Sequence, residues 1–73
     1  MIYYTEHAKE RMLLRGITQE MVIKALSKPD KVGMGYDDKN LVFKKFLRGV
    51  VKIVFVKKKN HYTVVSVIWH IIK

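Results

Sequence analysis

The chain has 73 residues, of which 49% are hydrophobic, so its length and composition predict one globular domain over residues 1–73 and exclude a second. It has no cysteine, which excludes disulfides, cysteine-ligated zinc and a thiol nucleophile, and is typical of proteins in the reducing cytoplasm. The formal net charge of +9 points to a nucleic acid or an acidic protein as partner, and the charges within the first seven residues argue against a secretory signal.

Two helices are predicted after a short first strand over residues 2–4. Thr5 is a candidate N-cap for the first helix, and Gly16 is a candidate left-handed stop at its end. The second helix follows almost at once, because Thr18 can cap it and Pro29 ends it. Both helices are therefore short and joined by a tight connection.

Four β-strands are predicted after the helices, over residues 31–36, 41–47, 50–57 and 62–71. Short polar connections separate them, which favours antiparallel hairpins. The last strand contains most of an apolar run, residues 64–72, that is too short for a membrane helix of about twenty residues. The order of elements predicts an α+β fold, in which a four-stranded antiparallel meander carries both helices on one face.

No cofactor or metal site is predicted. The three histidines, His7, His61 and His70, are far apart in sequence, and the acids are scattered except for Asp37 and Asp38. Such spacing matches no familiar set of zinc or calcium ligands. A glycine-rich phosphate loop is not recognisable either.

Three side chains of the first predicted helix form a stripe, because His7, Arg11 and Arg15 stand four residues apart. Neither arginine has an acid three or four residues away, whereas guanidinium groups bind phosphate oxygens well. A neutral histidine beside them could take the 2′-hydroxyl proton in a metal-free cleavage of RNA, while the cations stabilise the pentacoordinate phosphate. The alternative is structural: His7 packs at a helix end and the arginines reach acids elsewhere in the fold.

The other histidines have weaker signals. His61 lies in a lysine-rich turn, so we expect it to be solvated. His70 alternates with Ser66 and Ile68 on one strand face, and is either a second acid or base or a half-buried strand residue.

Basic residues are concentrated in the C-terminal half of the chain. Residues 1–40 hold seven Lys/Arg and six Asp/Glu, a net charge of +1, whereas residues 41–73 hold eight Lys/Arg and no acid, a net charge of +8. Basic side chains beside aromatic ones can hold a phosphate backbone and stack bases. The alternative is a solubilising lysine face with the aromatics in the core. The candidate nucleic-acid-binding residues are Lys44, Lys45, Arg48, Lys52, Lys57, Lys58 and Lys59.

The stretch His-Ala-Lys-Glu-Arg-Met-Leu-Leu-Arg-Gly-Ile-Thr from His7, with the later Pro29-Asp30 and Val-Val-Ser-Val-Ile-Trp from Val64, resembles a small uncharacterised family. That family has the pattern H-A-x-x-R-M-x-x-R-G-I-[ST] and is placed in the RelE/ParE-like toxin superfamily. The resemblance implies an antiparallel sheet with helices on one side. It also implies a ribonuclease of the barnase, EndoU, colicin and RelE type, in which His7, Arg11 and Arg15 match the motif.

The leading hypothesis from the sequence is a metal-independent endoribonuclease, the toxin of a toxin–antitoxin pair. His7 would be the general base or acid, while Arg11 and Arg15 would hold the scissile phosphate. The expected partners are RNA, an acidic antitoxin-like protein and, in its absence, a second copy of the chain. The alternative is a non-catalytic basic binder, either a gyrase-binding toxin, since ParE-like proteins bind gyrase without cutting RNA, or an RNA-binding module.

Overall fold

The computed structural model describes residues 1–70 as an α+β fold, which confirms the predicted class and order of elements. None of the described helices is long and apolar enough to cross a membrane. Residue 71, predicted as the end of the last strand, lies outside the described residues. The elements are β1 (Ile2–Tyr4), α1 (Glu6–Arg15), α2 (Gln19–Ser27), β2 (Lys31–Met34), β3 (Asn40–Phe46), β4 (Gly49–Lys57) and β5 (Tyr62–His70).

Local capping chemistry sets the helix ends. Thr5 Oγ1 accepts a hydrogen bond of 3.1 Å from the backbone N–H of Ala8 at the start of α1, and Thr18 Oγ1 accepts one of 3.2 Å from Met21 at the start of α2. Gly16 ends α1 in the left-handed conformation, with φ 66°. The predicted caps and stop are confirmed.

The sheet has five strands rather than four. Its order is β1-β5-β4-β3-β2, in which β2 to β5 form an antiparallel meander and β1 pairs in parallel with β5. The backbone N–H of Thr5 donates to the carbonyl oxygen of Val64 at 3.1 Å, which ties β1 to the last strand. The predicted four-stranded antiparallel sheet is therefore corrected to a five-stranded mixed sheet. The fifth strand is β1, which pairs in parallel with β5 although both helices and three strands lie between them in the sequence.

Both helices cover one face of the sheet, as predicted. Here α1 packs on β5 and β1, and α2 packs on β3 and β4. The core between the layers is made almost entirely of aliphatic side chains, which gain the free energy of burial that holds the layers together. The buried residues are Ala8, Met12, Ile17, Val22, Ala25, Val42, Val51, Ile53, Phe55, Val64 and Val67.

No helix covers the opposite face of the sheet within residues 1–70, and we call this surface the open face. Side chains alternate between the two faces along a strand, and directly paired residues share a face. The open face is therefore made of the strand residues that alternate with the buried ones, together with their partners in the register. A β-bulge interrupts the alternation of β5 between Val64 and Ser66, the partners of Phe55 and Val54. Thr63 and Ser66 therefore share the open face although they are three residues apart. The open face consists of Tyr3, Lys31, Gly33, Leu41, Phe43, Lys45, Val50, Lys52, Val54, Val56, Thr63, Ser66, Ile68 and His70.

Candidate nucleic-acid interface

The predicted stripe of α1 lies on the helix layer, away from the open face. His7 is exposed, whereas Arg11 and Arg15 are half-buried. The Nη1 atom of Arg15 donates a hydrogen bond of 2.7 Å to the carbonyl oxygen of Val67 in β5. Part of the Arg15 guanidinium is therefore used to attach α1 to the sheet, and its other N–H groups remain for a ligand.

Three of the six acids pair with lysines, and none of the ion pairs of the described chain involves these arginines. Within residues 1–70 the ion pairs are Lys9–Glu6, Lys24–Glu20 and Lys44–Asp30. The structural alternative, in which Arg11 and Arg15 reach acids elsewhere in the fold, is therefore not realised in this part of the chain.

A groove of about 720 Å³ lies at one end of the open face. The side chains of Phe43 and His70 meet there edge to face, with ring centroids 5.4 Å apart and planes at 70°. Lys31 lies directly opposite Phe43 in the β2–β3 register. The residues that line the groove are Asp30, Lys31, Phe43, Lys44, Lys45, Val50 and His70. The fold thus brings an imidazole, an aromatic ring and ammonium groups together in one concave site.

The carboxylate of Asp30 lines this groove and contacts two residues of β3. Its Oδ2 accepts a hydrogen bond of 2.7 Å from the backbone N–H of Lys45, and its Oδ1 lies 3.6 Å from Lys44 Nζ. The hydrogen bond from Lys45, with the charge of Lys44, holds the pKa of Asp30 below its ordinary value, although desolvation acts in the opposite direction. Asp30 therefore stays ionised and joins the start of β2 to β3.

Lys44, one of the candidate nucleic-acid-binding residues, does not lie on the open face. It lies opposite buried Val51, on the helix-covered face, and its side chain is only 24% exposed beside Asp30. Lys45 and Lys52 lie on the open face, since they stand opposite Val50 and Phe43. The alternation of side chains along β3 therefore separates the two adjacent lysines.

The remaining predicted basic residues lie at the two ends of β4. In the β3–β4 turn, the Arg48 guanidinium lies 5.4 Å from the ring centroid of Trp69, a cation–π contact. At the other end, Lys57, Lys58 and Lys59 are exposed beside the β4–β5 turn. Lys57 Nζ lies 5.8 Å from the ring centroid of Tyr62. The three lysines and Arg48 thus lie at opposite ends of β4 and do not form one continuous basic patch.

A second aromatic contact lies near the β4–β5 turn. The rings of Tyr3 and His61 meet edge to face, with centroids 4.9 Å apart. Tyr3 is 50% exposed, and His61 is half-buried. The expectation that His61 is simply solvated therefore needs correction, because it packs against β1.

No cluster of three or more His, Cys, Asp or Glu side chains that could hold a metal ion occurs among the residues the structure describes.

Sequence reasoning missed Lys31 and Asp30 as members of the groove. The alternation within β3 indicates that Phe43 and Lys45 share a face. It does not indicate that β2 and the end of β5 lie beside them, because that depends on strand register between distant segments.

Comparison with known proteins gives one assignment. No curated protein and no solved structure matches the chain. One family pattern covers residues 4–69, which includes α1, α2 and nearly all of the sheet. The chain therefore belongs to the family of the domain of unknown function DUF4258.

Proposed function

We propose that this chain is a metal-independent endoribonuclease that holds RNA against the open face of its sheet. The RelE-like relationship drawn from the motif of α1 is part of this proposal, as is a role as a toxin paired with an acidic antitoxin. Support comes from the meeting of an imidazole, an aromatic ring and lysines in the open-face groove.

The groove at His70 is the observation that carries the proposal. Phe43 offers an aromatic surface for a base, and Lys31 and Lys45 offer positive charge for phosphates. Residues 41–73 contain no acid, and Asp30, the one carboxylate that lines the groove, is paired with Lys44. A binding surface and a candidate base are therefore adjacent, which is the minimum arrangement for cleavage.

The proposed reaction uses the RNA's own 2′-hydroxyl as nucleophile. His70 takes the 2′-hydroxyl proton, and the 2′-oxygen forms a bond to phosphorus as the bond from phosphorus to the 5′-oxygen breaks. The 5′-oxygen takes a proton from an ammonium group or water, which gives a 2′,3′-cyclic phosphate and a 5′-hydroxyl. Lys31 and Lys45 would stabilise the charge that develops on the phosphate oxygens.

The α1 stripe remains a second candidate for the same reaction. His7 is exposed, and Arg11 has no ion-pair partner within residues 1–70. This site lies on the helix layer, so the two histidines are on different sides of the sheet. Substitution of each histidine therefore separates the two sites.

The test is cleavage of an end-labelled single-stranded RNA in the presence of EDTA, with product ends analysed. His70→Ala should lose at least about a hundredfold in rate, as expected for removal of a general base, while it keeps most of its RNA affinity. Leu13→Ala is the matched control, since Leu13 is exposed on α1 and belongs to neither site. Circular dichroism checks that each variant folds.

Each other outcome has a defined meaning. Loss of cleavage in His7→Ala alone would move the site to the α1 stripe. Cleavage that EDTA abolishes would overturn the metal-independent mechanism. RNA binding without cleavage by the unaltered chain would leave the alternative function, a non-catalytic basic binder, which the half-buried apolar side chains of the open face also favour.

A further inference from the structure

The paired rings of Tyr3 and His61 are not used by the proposed cleavage site. They lie at the opposite end of β5 from His70, next to the turn that carries lysines 57–59. Their arrangement resembles that of Phe43 and His70, because each is an imidazole packed edge to face on an aromatic ring. The open face thus has an aromatic pair at each end.

Both pairs belong to the same side of the sheet. Tyr3 stands opposite Thr63 in the parallel β1–β5 register, and Thr63 stands opposite Val56 of the open face. His61 lies just before β5, and its ring packs on that of Tyr3, so it is on the same side of the sheet. A ligand that follows β5 would therefore contact both pairs without crossing an edge of the sheet.

The surface between the two pairs carries aliphatic and hydroxyl side chains and has no negative charge. Half-buried Val54, Val56 and Ile68 line this path. Lys52 stands opposite Ile68 and adds a positive charge near the His70 end of this path. Bases have apolar faces and phosphates are anionic, so an extended nucleic acid strand complements this pattern of rings, aliphatic side chains and lysines.

The length of β5 sets the reach of such a site. His61 and His70 are nine residues apart in sequence, which corresponds to about 30 Å at a strand rise of about 3.3 Å per residue. That span accommodates on the order of five extended nucleotides, at the short end of the site sizes known for single-stranded nucleic acid domains.

We propose that Tyr3 and His61 form a second nucleotide-binding site, and that the ligand is single-stranded RNA bound along β5 over about five nucleotides. This inference rests on the proposed function, because it extends the RNA-binding surface from the His70 groove. Duplex RNA does not fit, since its bases are stacked on one another and cannot lie on protein rings.

The experiment is fluorescence anisotropy with 2′-O-methyl oligouridylates of two to ten nucleotides, in which the blocked 2′-oxygen prevents cleavage. For the unaltered chain, affinity should rise with length up to about five nucleotides and then level off. The double variant Tyr3→Ala/His61→Ala should bind dinucleotides as before. It should lose roughly tenfold in affinity for the pentamer, as expected for one lost base-stacking site.

Controls separate this inference from the proposed function. Leu13→Ala/Leu14→Ala removes two exposed apolar side chains from the helix layer and should leave the length profile unchanged. Failure of the unaltered chain to bind any oligonucleotide would overturn the proposed function itself. Binding with the same plateau in the Tyr3→Ala/His61→Ala variant, or equal affinity for a duplex, would overturn the second site alone.

Discussion

The indole Nε1 of Trp69 donates a hydrogen bond of 2.8 Å to the carbonyl oxygen of Arg15. Two residues earlier in β5, the carbonyl oxygen of Val67 accepts a bond of 2.7 Å from Arg15 Nη1. The last residue of α1 and the last strand therefore exchange hydrogen bonds. The Trp69 contact also satisfies a carbonyl group that the end of a helix leaves without an intrahelical partner.

Trp69→Phe should destabilise the fold by about 1–2 kcal/mol, because it removes this bond from a part-buried carbonyl and shrinks the ring on which Arg48 lies. Urea unfolding followed by circular dichroism measures the change. Tyr36→Phe is the control, since Tyr36 is 91% exposed and its loss of a hydroxyl should have little effect. Equal destabilisation by both variants would contradict a specific role for the Trp69 bond.

The sequence was sufficient for the elements that depend on neighbouring residues. Thr5, Gly16 and Thr18 act within one helical turn, so their residue types alone predict where the helices begin and end. The pairing of β1 with β5 joins residues about sixty positions apart, and no local pattern marks it. The β5 bulge beside Ser66 likewise depends on the register against β4. Past the bulge, each residue of β5 faces the side opposite to the one that simple alternation would give.

The candidate site also combines features that neighbouring residues predict with features that depend on distant contacts. Basic and aromatic residues of β3 were visible in the sequence, but their assignment to faces required the position of one buried neighbour, Val42. Lys44 shares the parity of Val42 and pairs with Asp30, whereas Lys45 reaches the open face. The Asp30 carboxylate accepts a hydrogen bond from the backbone of Lys45, fifteen residues away, and sequence spacing gave no indication of that contact.

Asp30 should make stability depend on pH in the acid range. Its pKa is lowered in the folded state, chiefly by the hydrogen bond from Lys45, so its contribution is fully present above the unfolded Asp pKa of about 3.9 and is lost as the pH falls through the lower folded value. Asp30→Asn retains an acceptor for the Lys45 N–H but has no carboxylate to protonate. The melting temperature of the variant should therefore fall less between pH 6 and pH 2 than that of the unaltered chain.

Glu20→Gln is the control for that measurement. Glu20 pairs with Lys24 on the solvent side of α2, where both side chains are largely exposed. Its replacement should therefore leave the fall in melting temperature between pH 6 and pH 2 nearly unchanged. Parallel curves for Asp30→Asn and the unaltered chain would show that the Asp30 charge does not contribute to folding.

The open-face lysines should determine the salt dependence of RNA binding. Lys45→Ala/Lys52→Ala removes two charges that the register places on the proposed path, so the slope of log K against log salt should fall by about 1–2. Lys24→Ala/Lys28→Ala removes the same charge from α2 on the helix layer and should change the slope little. Binding measured between 50 and 200 mM salt distinguishes a specific surface from a general effect of net charge, in which both variants would lose equally.

An acidic protein segment is the proposed alternative ligand of the open-face lysines, paired as an added strand at the edge of the sheet. The strands β1 and β2 form the two edges, and Val32 and Met34 of β2, which lie opposite Val42 and Asn40 on the other face from Lys31, are 66% and 81% exposed. Bare apolar strands at an edge invite pairing with another chain, and the net charge of +8 over residues 41–73 opposes self-pairing through the same surface. A segment that alternates Glu with Val or Leu would complement both features.

We therefore expect a synthetic Glu/Val-alternating peptide to bind the chain, raise its melting temperature by mass action and displace a labelled RNA from it. The affinity should fall with salt and in Lys45→Ala/Lys52→Ala, because the two ligands share these charges. A peptide with Lys in place of Glu is the control and should neither bind nor compete. Sedimentation of the chain alone then tests the fallback state, in which a second copy covers the edge. Simultaneous binding of RNA and acidic peptide would contradict a shared surface, since one open face cannot hold both.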